Sequence, residues 1–442
     1  MEPKPQVHTG PCKDRHVIDS DPNAEQSKAI NMLHITESDV TDVLQFTSDL
    51  IDEIGPRLAG TPQCLQAAEG IHDELASACD SAKIESFSFH REALLSSVRV
   101  LSIAYLAVIP VLIFGGYSFV PAILGLLFGS AFAVTEFLLY LTPFDRFFRK
   151  HTGHNISGSI EPAGEVKQQI VVSGHHDSAY VFNFFKKHQK LYAPRIILGV
   201  IAYHIMLLLL VLWGLAEFLH ASTPGFANFV RVFWGVGFLF GIQFFFFKSK
   251  EVCLGAGDNL VAVAMCLRLA QRFGIAKKRG HNLLQHTRLV FASFDAEESG
   301  LRGSRAYCRK NREALKSIPT YNLNLESIYN VNELSFLTKD VNQCVPLSKA
   351  MVDECMEVAK QLGHRTAEGP ITVGGGGTDA AEFARIGVAA TSLLGMENRF
   401  IRDGLYYHTM EDTVDNIDPA AVRAGLEMVA GFIFKKDLEL LR

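Results

Sequence analysis

The sequence predicts an α/β fold, a mostly parallel three-layer sheet interrupted by two helical hairpins that span a membrane. Two observations lead to this prediction. In the polar parts of the chain, short apolar runs rich in β-branched residues alternate with stretches of helical periodicity. Two further blocks, residues 100–144 and 196–247, stay apolar over lengths that the buried helices of enzymes rarely reach.

The composition excludes several classes of protein. Of the 442 residues, 48% are hydrophobic and 20% are charged, which is more apolar than a typical soluble enzyme. The net charge is −5 and no basic stripe appears, so we expect no nucleic-acid partner. The eight cysteines include no C-x-x-C pair, which favours reduced thiols and a cytosolic environment. Residues 1–30 are polar without an apolar core segment, and we expect a disordered tail rather than a signal peptide.

Each apolar block is long enough for two membrane-spanning helices of about 20 residues. Residues 115–118 supply a turn in the first block, and the segment HASTPGFANF (220–229) supplies a loop in the second, so four spans are predicted. Lys and Arg lie at the outer ends of both hairpins, whereas the hairpin tips carry only Arg231. Positive residues stay on the cytoplasmic side, which predicts a multi-pass integral membrane protein with its polar segments in the cytosol. The sequon at Asn155 offers a check of this topology, because it should stay unmodified there.

Removal of the hairpins leaves enough chain for one α/β domain. We expect the domain in three pieces, at residues 31–97, 145–195 and 248–442, with the hairpins at residues 98–144 and 196–247.

Polar residues follow the predicted strands at the points where those strands end. QQIVVSG (168–174) leads into HHDS, RLVFASF (288–294) leads into DAEE, and TYNLNLE (320–326) ends at Glu326. Helical patterns lie between and after the strands, at residues 258–273, 300–312, 345–362 and 418–437. Because open α/β sheets place their sites at strand ends, the sequence predicts a site at this edge.

The donor types available there suit a pair of zinc ions. Two imidazoles and three carboxylates form the candidate ligand set: His175, Asp258, Glu298, Glu326 and His408. One carboxylate would bridge the ions, and each ion would receive one imidazole. Glu297 would then be free to act as general base, and Asp177 could hold the other ring nitrogen of His175.

Each of these signals also has a purely structural interpretation. A histidine at a strand end is more often a hydrogen-bonded structural residue, and paired glutamates suit the start of a helix. Asp258 could be an N-cap, and Asp379, after a run of glycines, could serve a turn.

Seven motifs in order resemble a known family, the co-catalytic zinc exopeptidases of the aminopeptidase Y and glutamate carboxypeptidase group, family twenty-eight of the metallopeptidases. They are IGPRLAGT (54–61), VVSGHHDS (171–178), GAGDN (255–259), FDAEESGLRGS (294–304), NLES (324–327), GTDAAEF (377–383) and YHTMEDT (407–413). The resemblance skips both apolar blocks. It implies the zinc-exopeptidase sheet sandwich, two zinc ions per chain and a peptide substrate.

The resemblance also implies a role for each matching position. His175 corresponds to a ligand of one zinc and Asp258 to the bridging carboxylate, while Glu298 and His408 correspond to ligands of the other zinc. Glu326 stands where relatives usually have an aspartate, so the ligand is a carboxylate on a longer arm.

Three further positions complete the family pattern. Glu297 matches the general base, Asp177 the aspartate that orients the imidazole, and Asp379 an acidic position near the site. Ala380 departs from the pattern, because many relatives have a histidine there. The H-x-D spacing favours His175 over His176 as the ligand.

Taken together, the sequence predicts a membrane-anchored zinc aminopeptidase that acts on short peptides, with the bilayer as its second partner. The active site should lie near the cytosolic membrane surface, with residues 182–195 and 247–252 forming part of its rim. A carboxypeptidase or dipeptidase is an alternative, and its substrate carboxylate would bind Arg402, Tyr406 and Tyr407. Two further alternatives are glutaminyl cyclisation with a single zinc, and a membrane scaffold or transporter with a vestigial peptidase fold.

Overall fold

The computed structural model describes residues 33–115 and 118–441, so the predicted tail at residues 1–30 lies outside the described part. The strands are β1 Ser81–Phe89, β2 His151–Ile160, β3 Gln168–His175, β4 Tyr180–Phe182, β5 Lys248–Val252, β6 Thr287–Phe294, β7 Thr320–Glu326, β8 Ser335–Asp340, β9 Val345–Pro346, β10 Ala367–Pro370 and β11 Ala389–Leu394. The helices are α1 Glu37–Ile54, α2 Pro62–Ala78, α3 Ala93–Leu106, α4 Ile109–Phe114, α5 Phe119–Ala133, α6 Asn183–Lys186, α7 Tyr192–Phe218, α8 Pro224–Gly241, α9 Val261–Lys278, α10 Arg302–Lys310, α11 Arg312–Ser317, α12 Lys349–Gln361, α13 Ala380–Arg385 and α14 Pro419–Glu439.

The described residues form a nine-stranded mixed sheet with the order β1-β2-β6-β3-β7-β11-β8-β10, and β9 pairs with β8. The four central strands β6, β3, β7 and β11 run parallel, as the sequence predicts. Towards the edges the β1–β2, β2–β6 and β8–β11 pairs are antiparallel, so the parallel arrangement is confined mostly to the centre. In this register the carboxyl ends of β3, β6 and β7 meet at one edge.

The three predicted strands and the four predicted helical segments all appear in the structure. Helix α9 is displaced towards the C-terminus, beginning at Val261 rather than at residue 258 and ending at Lys278 rather than at residue 273. Asp258 has φ −119° and ψ 83°, which is not helical, and Asn259 also departs from helical geometry. The backbone before α9 therefore presents the Asp258 carboxylate away from the helix.

Alternate residues of the central strands enter two separate apolar cores, which makes the fold three-layered as predicted. Ile170 and Val172 pack with α1, α2, α9 and α14 on one face. Val171 faces the other side, in a core that includes Phe383 of α13. That second core continues into the apolar hairpins without a break, because Leu101 and Tyr203 belong to it as well.

Within residues 33–115 and 118–441, five helical stretches are long and apolar enough to cross a membrane. Four of them correspond to the predicted hairpins: Ala93–Phe114, Phe119–Leu138, Gln189–Phe218 and Pro224–Phe246. The fifth, Ala256–Lys278, has 72% of its most apolar window buried, against 22–44% in the other four. The count of four spans stays a prediction. Helix α8 begins at Pro224, inside the predicted loop, because Thr223 caps it and proline suits its first turn.

A buried ion cluster fastens the first hairpin to the domain. Glu136, near the end of the second apolar stretch, is fully buried, and Arg302 at the start of α10 donates to its carboxylate over 3.0 Å. Arg302 also donates to Asp145 over 2.5 Å and to the backbone oxygen of Ser299. One guanidinium thus joins the end of the first hairpin to the loop that carries Glu297 and Glu298.

The sequon asparagine is part of the fold rather than an exposed loop. Asn155 lies in β2 with 2% of its surface exposed, and its side chain donates to the Gly303 carbonyl over 2.8 Å. Its side-chain oxygen accepts from the Asp295 amide over 3.1 Å. A glycan on this amide nitrogen is incompatible with the fold, so the sequon does not report which side of a membrane the domain faces.

Candidate active site

Strand ends bring the predicted site residues together at one edge of the sheet. His175 is the last residue of β3, Glu326 is the last residue of β7, and Glu297 follows β6 by three positions. Asp258 and His408 reach the same place from the loops before α9 and before α14. All five side chains are at least nine-tenths buried.

The Asp258 carboxylate lies between the two imidazoles. Its Oδ1 is 3.3 Å from His175 Nε2, and its Oδ2 is 3.2 Å from His408 Nε2. Glu326 Oε1 lies 3.4 Å from His175 Nε2, and Glu298 Oε1 lies 3.3 Å from His408 Nε2. Each imidazole nitrogen therefore faces one shared carboxylate and one carboxylate of its own.

These atoms fit a pair of metal ions. The Nε2 atoms of His175 and His408 and Asp258 Oδ2 are buried without a hydrogen-bond partner among the described residues. An unpaired buried polar group costs about 1–3 kcal/mol. Around a tetrahedral zinc, with bonds of about 2.0–2.2 Å, two ligand atoms lie roughly 3.3–3.5 Å apart. The four separations, 3.2–3.4 Å, are close to that value. His175, Asp258 and Glu326 could hold one zinc, and Asp258, Glu298 and His408 could hold the other.

Asp177 connects the imidazole to the glutamate pair. Its Oδ1 lies 3.3 Å from His175 Nδ1, and its carboxylate accepts the backbone amides of Glu297 and Glu298 over 3.1 and 3.2 Å. These contacts fix the imidazole so that Nε2 faces Asp258.

The neighbouring His176 belongs to a different environment. Its Nδ1 lies 2.9 Å from Ser293 Oγ, and its ring groups with Cys64 and Asp295 rather than with Asp258. Burial and the nearby charge of Arg57 lower the pKa of His176 to about 3, so the ring is neutral. The geometry thus agrees with the choice of His175 that the H-x-D spacing favours.

Glu297 is 8% exposed and lies beside the ligand cluster, with Oε2 3.8 Å from His175 Nε2. Burial raises the pKa of Glu297 well above its usual value, and the charges of Glu326 and Glu298 add to this against the opposing effect of His175. A carboxyl group with a raised pKa suits proton transfer near neutral pH.

Asp379 immediately precedes α13 and is fully buried, with no hydrogen-bond partner for either carboxylate oxygen among the described residues. Burial raises its pKa to about 8, opposed by the nearby charge of His175. Asp379 does not itself line the pocket beside the cluster.

The pocket has a polar floor and an apolar wall. The floor consists of Asp258, Glu297, Glu298, Glu326 and His408. The hairpin wall, as we name it, consists of residues at or beside the domain ends of the apolar stretches, together with Phe182 at the end of β4: Leu94, Leu95, Phe137, Tyr140, Phe182 and Tyr192. Glycines 374–377 line the pocket too, and Tyr192 Oη donates to the Gly374 carbonyl over 2.8 Å.

The predicted rim is therefore present in part. Phe182 and Tyr192 line the pocket, and Phe247 stands behind them with its ring centroid 4.5 Å from that of Phe182. The contribution of the first hairpin was not predicted. The sequence indicates only that this insertion leaves and re-enters the domain. That information does not reveal which of its residues face the pocket.

The three residues considered for binding a substrate carboxylate are divided between two sites. Tyr407 lines the pocket and stacks on His408 with ring centroids 3.9 Å apart. Arg402 donates to Glu333 over 2.7 Å and lines an adjoining cleft with Tyr406, and Tyr407 lines both that cleft and the pocket. Among the described residues, no Lys or Arg side chain lines the pocket that holds the ligand cluster.

Comparisons with known proteins agree with this geometry. Residues 236–433 match the family described as Peptidase family M28, a span that includes Asp258, Glu297, Glu298, Glu326 and His408. A probable glutamate carboxypeptidase of Arabidopsis thaliana is 29% identical over 167 residues, which cover 36% of this chain and 23% of that protein. The chain thus spans about a quarter of the length of this relative.

Several solved structures share the fold at low identity. A zinc aminopeptidase from Bacillus subtilis has a TM-score of 0.53 at 14% identity, covering 90% of this chain and 95% of its own. A glutaminyl cyclase from an Acidobacteriales bacterium has a TM-score of 0.53 at 14% identity, covering 92% and 98%. A zinc-dependent exopeptidase from Parabacteroides distasonis has a TM-score of 0.51 at 15% identity, covering 89% and 97%. Residues 236–433 therefore resemble a peptidase family M28 domain, and the chain shares the fold of these zinc exopeptidases and glutaminyl cyclases.

Proposed function

We propose that the protein is a membrane-anchored zinc aminopeptidase that hydrolyses the N-terminal residue of short peptides. The main support is the position of Asp258 between His175 and His408 in a pocket lined by carboxylates. A protonated α-amino group suits such a pocket. Among the described residues, no cationic side chain that could hold a substrate carboxylate lines this pocket, and Arg402, in the adjoining cleft, is paired with Glu333.

Two zinc ions would be held by this chain, with Asp258 shared between them. His175 and Glu326 complete one set of ligands, and Glu298 and His408 complete the other. Zinc in these positions supplies Lewis-acid polarisation of the scissile carbonyl and lowers the pKa of water.

The protein side chains carry the proton through the reaction. Glu297 takes a proton from the attacking water, whose oxygen bonds to the carbonyl carbon. As the C–N bond breaks, Glu297 passes that proton to the leaving amine. Asp177 keeps His175 in its orientation throughout, and Glu326 is placed to hold the α-amino group of the substrate.

The four hairpin helices span the membrane, and the domain lies on the cytosolic side. Their outer surfaces expose large apolar side chains, including Phe114 at 79%, Phe218 at 80% and Leu239 at 69%, which would be costly in water. Positive residues flank the domain-side ends of the hairpins, in agreement with a cytosolic domain. The fifth apolar stretch, Ala256–Lys278, belongs to the domain core.

Glutaminyl cyclisation is the second candidate, because glutaminyl cyclases are among the structures that share the fold. It needs one zinc rather than two. Metal content therefore separates the two reactions before any substrate is tested.

The test is an incubation of the zinc-loaded full chain with a defined mixture of peptides, half of them acetylated at the N-terminus. We expect stepwise loss of residues from free N-termini, with acetylated peptides spared, and two zinc ions per chain by elemental analysis. Trimming from the C-terminus, or one zinc with release of cyclised N-terminal glutamine, would contradict the proposal.

The variant Glu297→Gln tests the proposed proton carrier. We expect it to retain both zinc ions and to lose turnover by roughly a thousandfold, because the amide cannot accept the proton. The matched control is Glu411→Gln, an exposed residue close to His408, which should behave as wild type. Near-normal turnover in Glu297→Gln would refute its role.

A further inference from the structure

A second cavity, the inter-hairpin cleft, opens between the two hairpins beside the active-site pocket. Its volume is about 390 Å³, within the range of about 300–1,000 Å³ that is typical of small-molecule sites. The lining is almost entirely carbon and includes Val98, Leu101, Ala133, Ile197, Val200 and Phe244.

The cleft and the active-site pocket share part of their lining. Phe137, Tyr192 and Gly374 contribute to both cavities. The hydrogen bond from Tyr192 Oη to the Gly374 carbonyl, 2.8 Å long, lies at this junction. A molecule whose polar end occupies the pocket can therefore extend its other end into the cleft.

The cleft is long and lacks free polar groups along most of its length. Its lining follows α7 from Tyr192 to His204, which is about 18 Å at 1.5 Å per residue. At the far end His204 Nε2 pairs with Ser130 Oγ over 2.8 Å. At the near end the Asn342 amide donates to the backbone oxygens of Phe137 and Leu138. A peptide backbone placed between these ends would leave its amides without partners, whereas a hydrocarbon chain needs none.

The cleft is open at its side as well as at the pocket. Ile197, Ile201 and Val134 line it and remain 55%, 49% and 39% exposed on the hairpin surface. In a bilayer this surface faces lipid, so an acyl or alkyl chain can enter sideways without crossing water.

We infer that the substrate is an amphipathic amide, a peptide or amino-acid amide with a long hydrocarbon chain that occupies the inter-hairpin cleft. This rests on the proposed peptidase function. Hydrolysis would give the OH of water to the acyl carbon and its remaining hydrogen to the amide nitrogen, so the C–N bond breaks and an amine leaves. The chain in the cleft holds the scissile amide at the floor of the pocket.

The first experiment compares leucine butylamide with leucine dodecylamide on the full, zinc-loaded chain in lipid nanodiscs. We expect kcat/KM to be at least about tenfold higher for the dodecylamide, because its chain leaves water for the cleft. Equal values would overturn the inference while leaving the peptidase function intact. If neither amide nor any short peptide is cut with zinc bound, the proposed function fails, and the inference with it.

A matched pair of variants separates the cleft from simple partitioning of the long substrate into the bilayer. Ala133→Trp fills the cleft, whereas Ala131→Trp places the same side chain on the exposed surface of the same helix, outside the cleft. We expect Ala133→Trp to abolish the preference for the long chain, so that kcat/KM for the dodecylamide falls to the value for the butylamide. Ala131→Trp should keep the preference. If both variants keep it, the cleft holds a structural lipid or nothing, and the inference is wrong.

A labelling experiment on the wild type does not depend on the folding of any variant. A leucine alkylamide with a photoreactive diazirine at the chain end should label residues 193–204, and the dodecylamide should compete with it while the butylamide should not. Labelling confined to residues outside the cleft would contradict the inference.

Discussion

The floor and the hairpin wall of the pocket have opposite origins. The floor comes from the ends of central strands and from the loops before α9 and α14, and its members are buried polar groups at mutual distances suited to metal ions. The wall comes from insertions between elements of that sheet, and its members are apolar or aromatic. Under the proposed function, the chemistry would belong to the sheet and the choice of substrate to the hairpins.

The largest effect is expected at the floor. Asp258→Asn removes the charge that both imidazoles share, so neither metal position is complete. We expect loss of zinc from both positions and a fall in kcat/KM of about a thousandfold or more. Elemental analysis and peptide hydrolysis measure the two effects, and Glu411→Gln again serves as the control. Retention of two zinc ions by Asp258→Asn would show that the carboxylate does not bridge them.

Arg302 joins the floor to the wall, and its removal should produce the next largest effect. Arg302→Ala leaves Glu136 and Asp145 in the protein without their cation. Breaking a buried ion pair in this way costs about 3–5 kcal/mol. We expect a lower Tm in detergent and reduced kcat. Arg309→Ala, an exposed position on the same helix, is the control. An unchanged Tm in Arg302→Ala would mean that the hairpin is held by its apolar contacts alone.

The smallest effect, on stability, is expected at Asp39, which lies on the opposite face of the sheet, far from the hairpin wall. Burial raises the pKa of Asp39, but the Thr36 amide and the guanidinium groups of Arg272 and Arg268 outweigh it and lower the pKa to about 2. A lowered pKa stabilises the fold above the unfolded value of about 3.9, and this contribution is lost as the pH falls from about 4 to 2.

Asp39→Asn should therefore lose stability at neutral pH and lose only a small part of that amount at pH 2. The expected loss is about 1–2 kcal/mol, because the side chain is also part of the capping box of α1. Asp49→Asn, an exposed position on α1, controls for the change in charge. Thermal unfolding at several pH values measures the difference. A loss that persisted at pH 2 would indicate that packing rather than charge is responsible.

Much of the floor could be predicted from the sequence. The central strands are continuous apolar runs because both of their faces are buried, so their ends could be located within one residue. The polar residues at those ends then followed directly. The edge strands were missed because β2, HTGHNISGSI, contains only two large apolar residues, and its pairing with β1 and β6 depends on distant segments.

The wall could not be predicted in the same way. The lengths of the apolar blocks indicate hairpins, but the orientation of Leu94, Phe137 and Tyr140 depends on how each hairpin re-enters the domain. The pairing of Glu136 with Arg302 joins residues 166 positions apart. No local periodicity reports such a contact. The inter-hairpin cleft forms where four helix ends pack together, so it could not be predicted from local sequence patterns either.

The most direct test of this division between floor and hairpin wall is photocrosslinking with a probe that binds the metal and reaches towards the wall. A hydroxamate binds zinc, and a short linker can carry a photoreactive benzophenone from it towards the wall. With the zinc-loaded full chain in nanodiscs, we expect crosslinks to residues 94–95, 137–140 and 192, and their loss when zinc is removed. Zinc-dependent crosslinks confined to the domain, at residues 371–378 and 394–407, would contradict the claim that the membrane hairpins form one side of the active site.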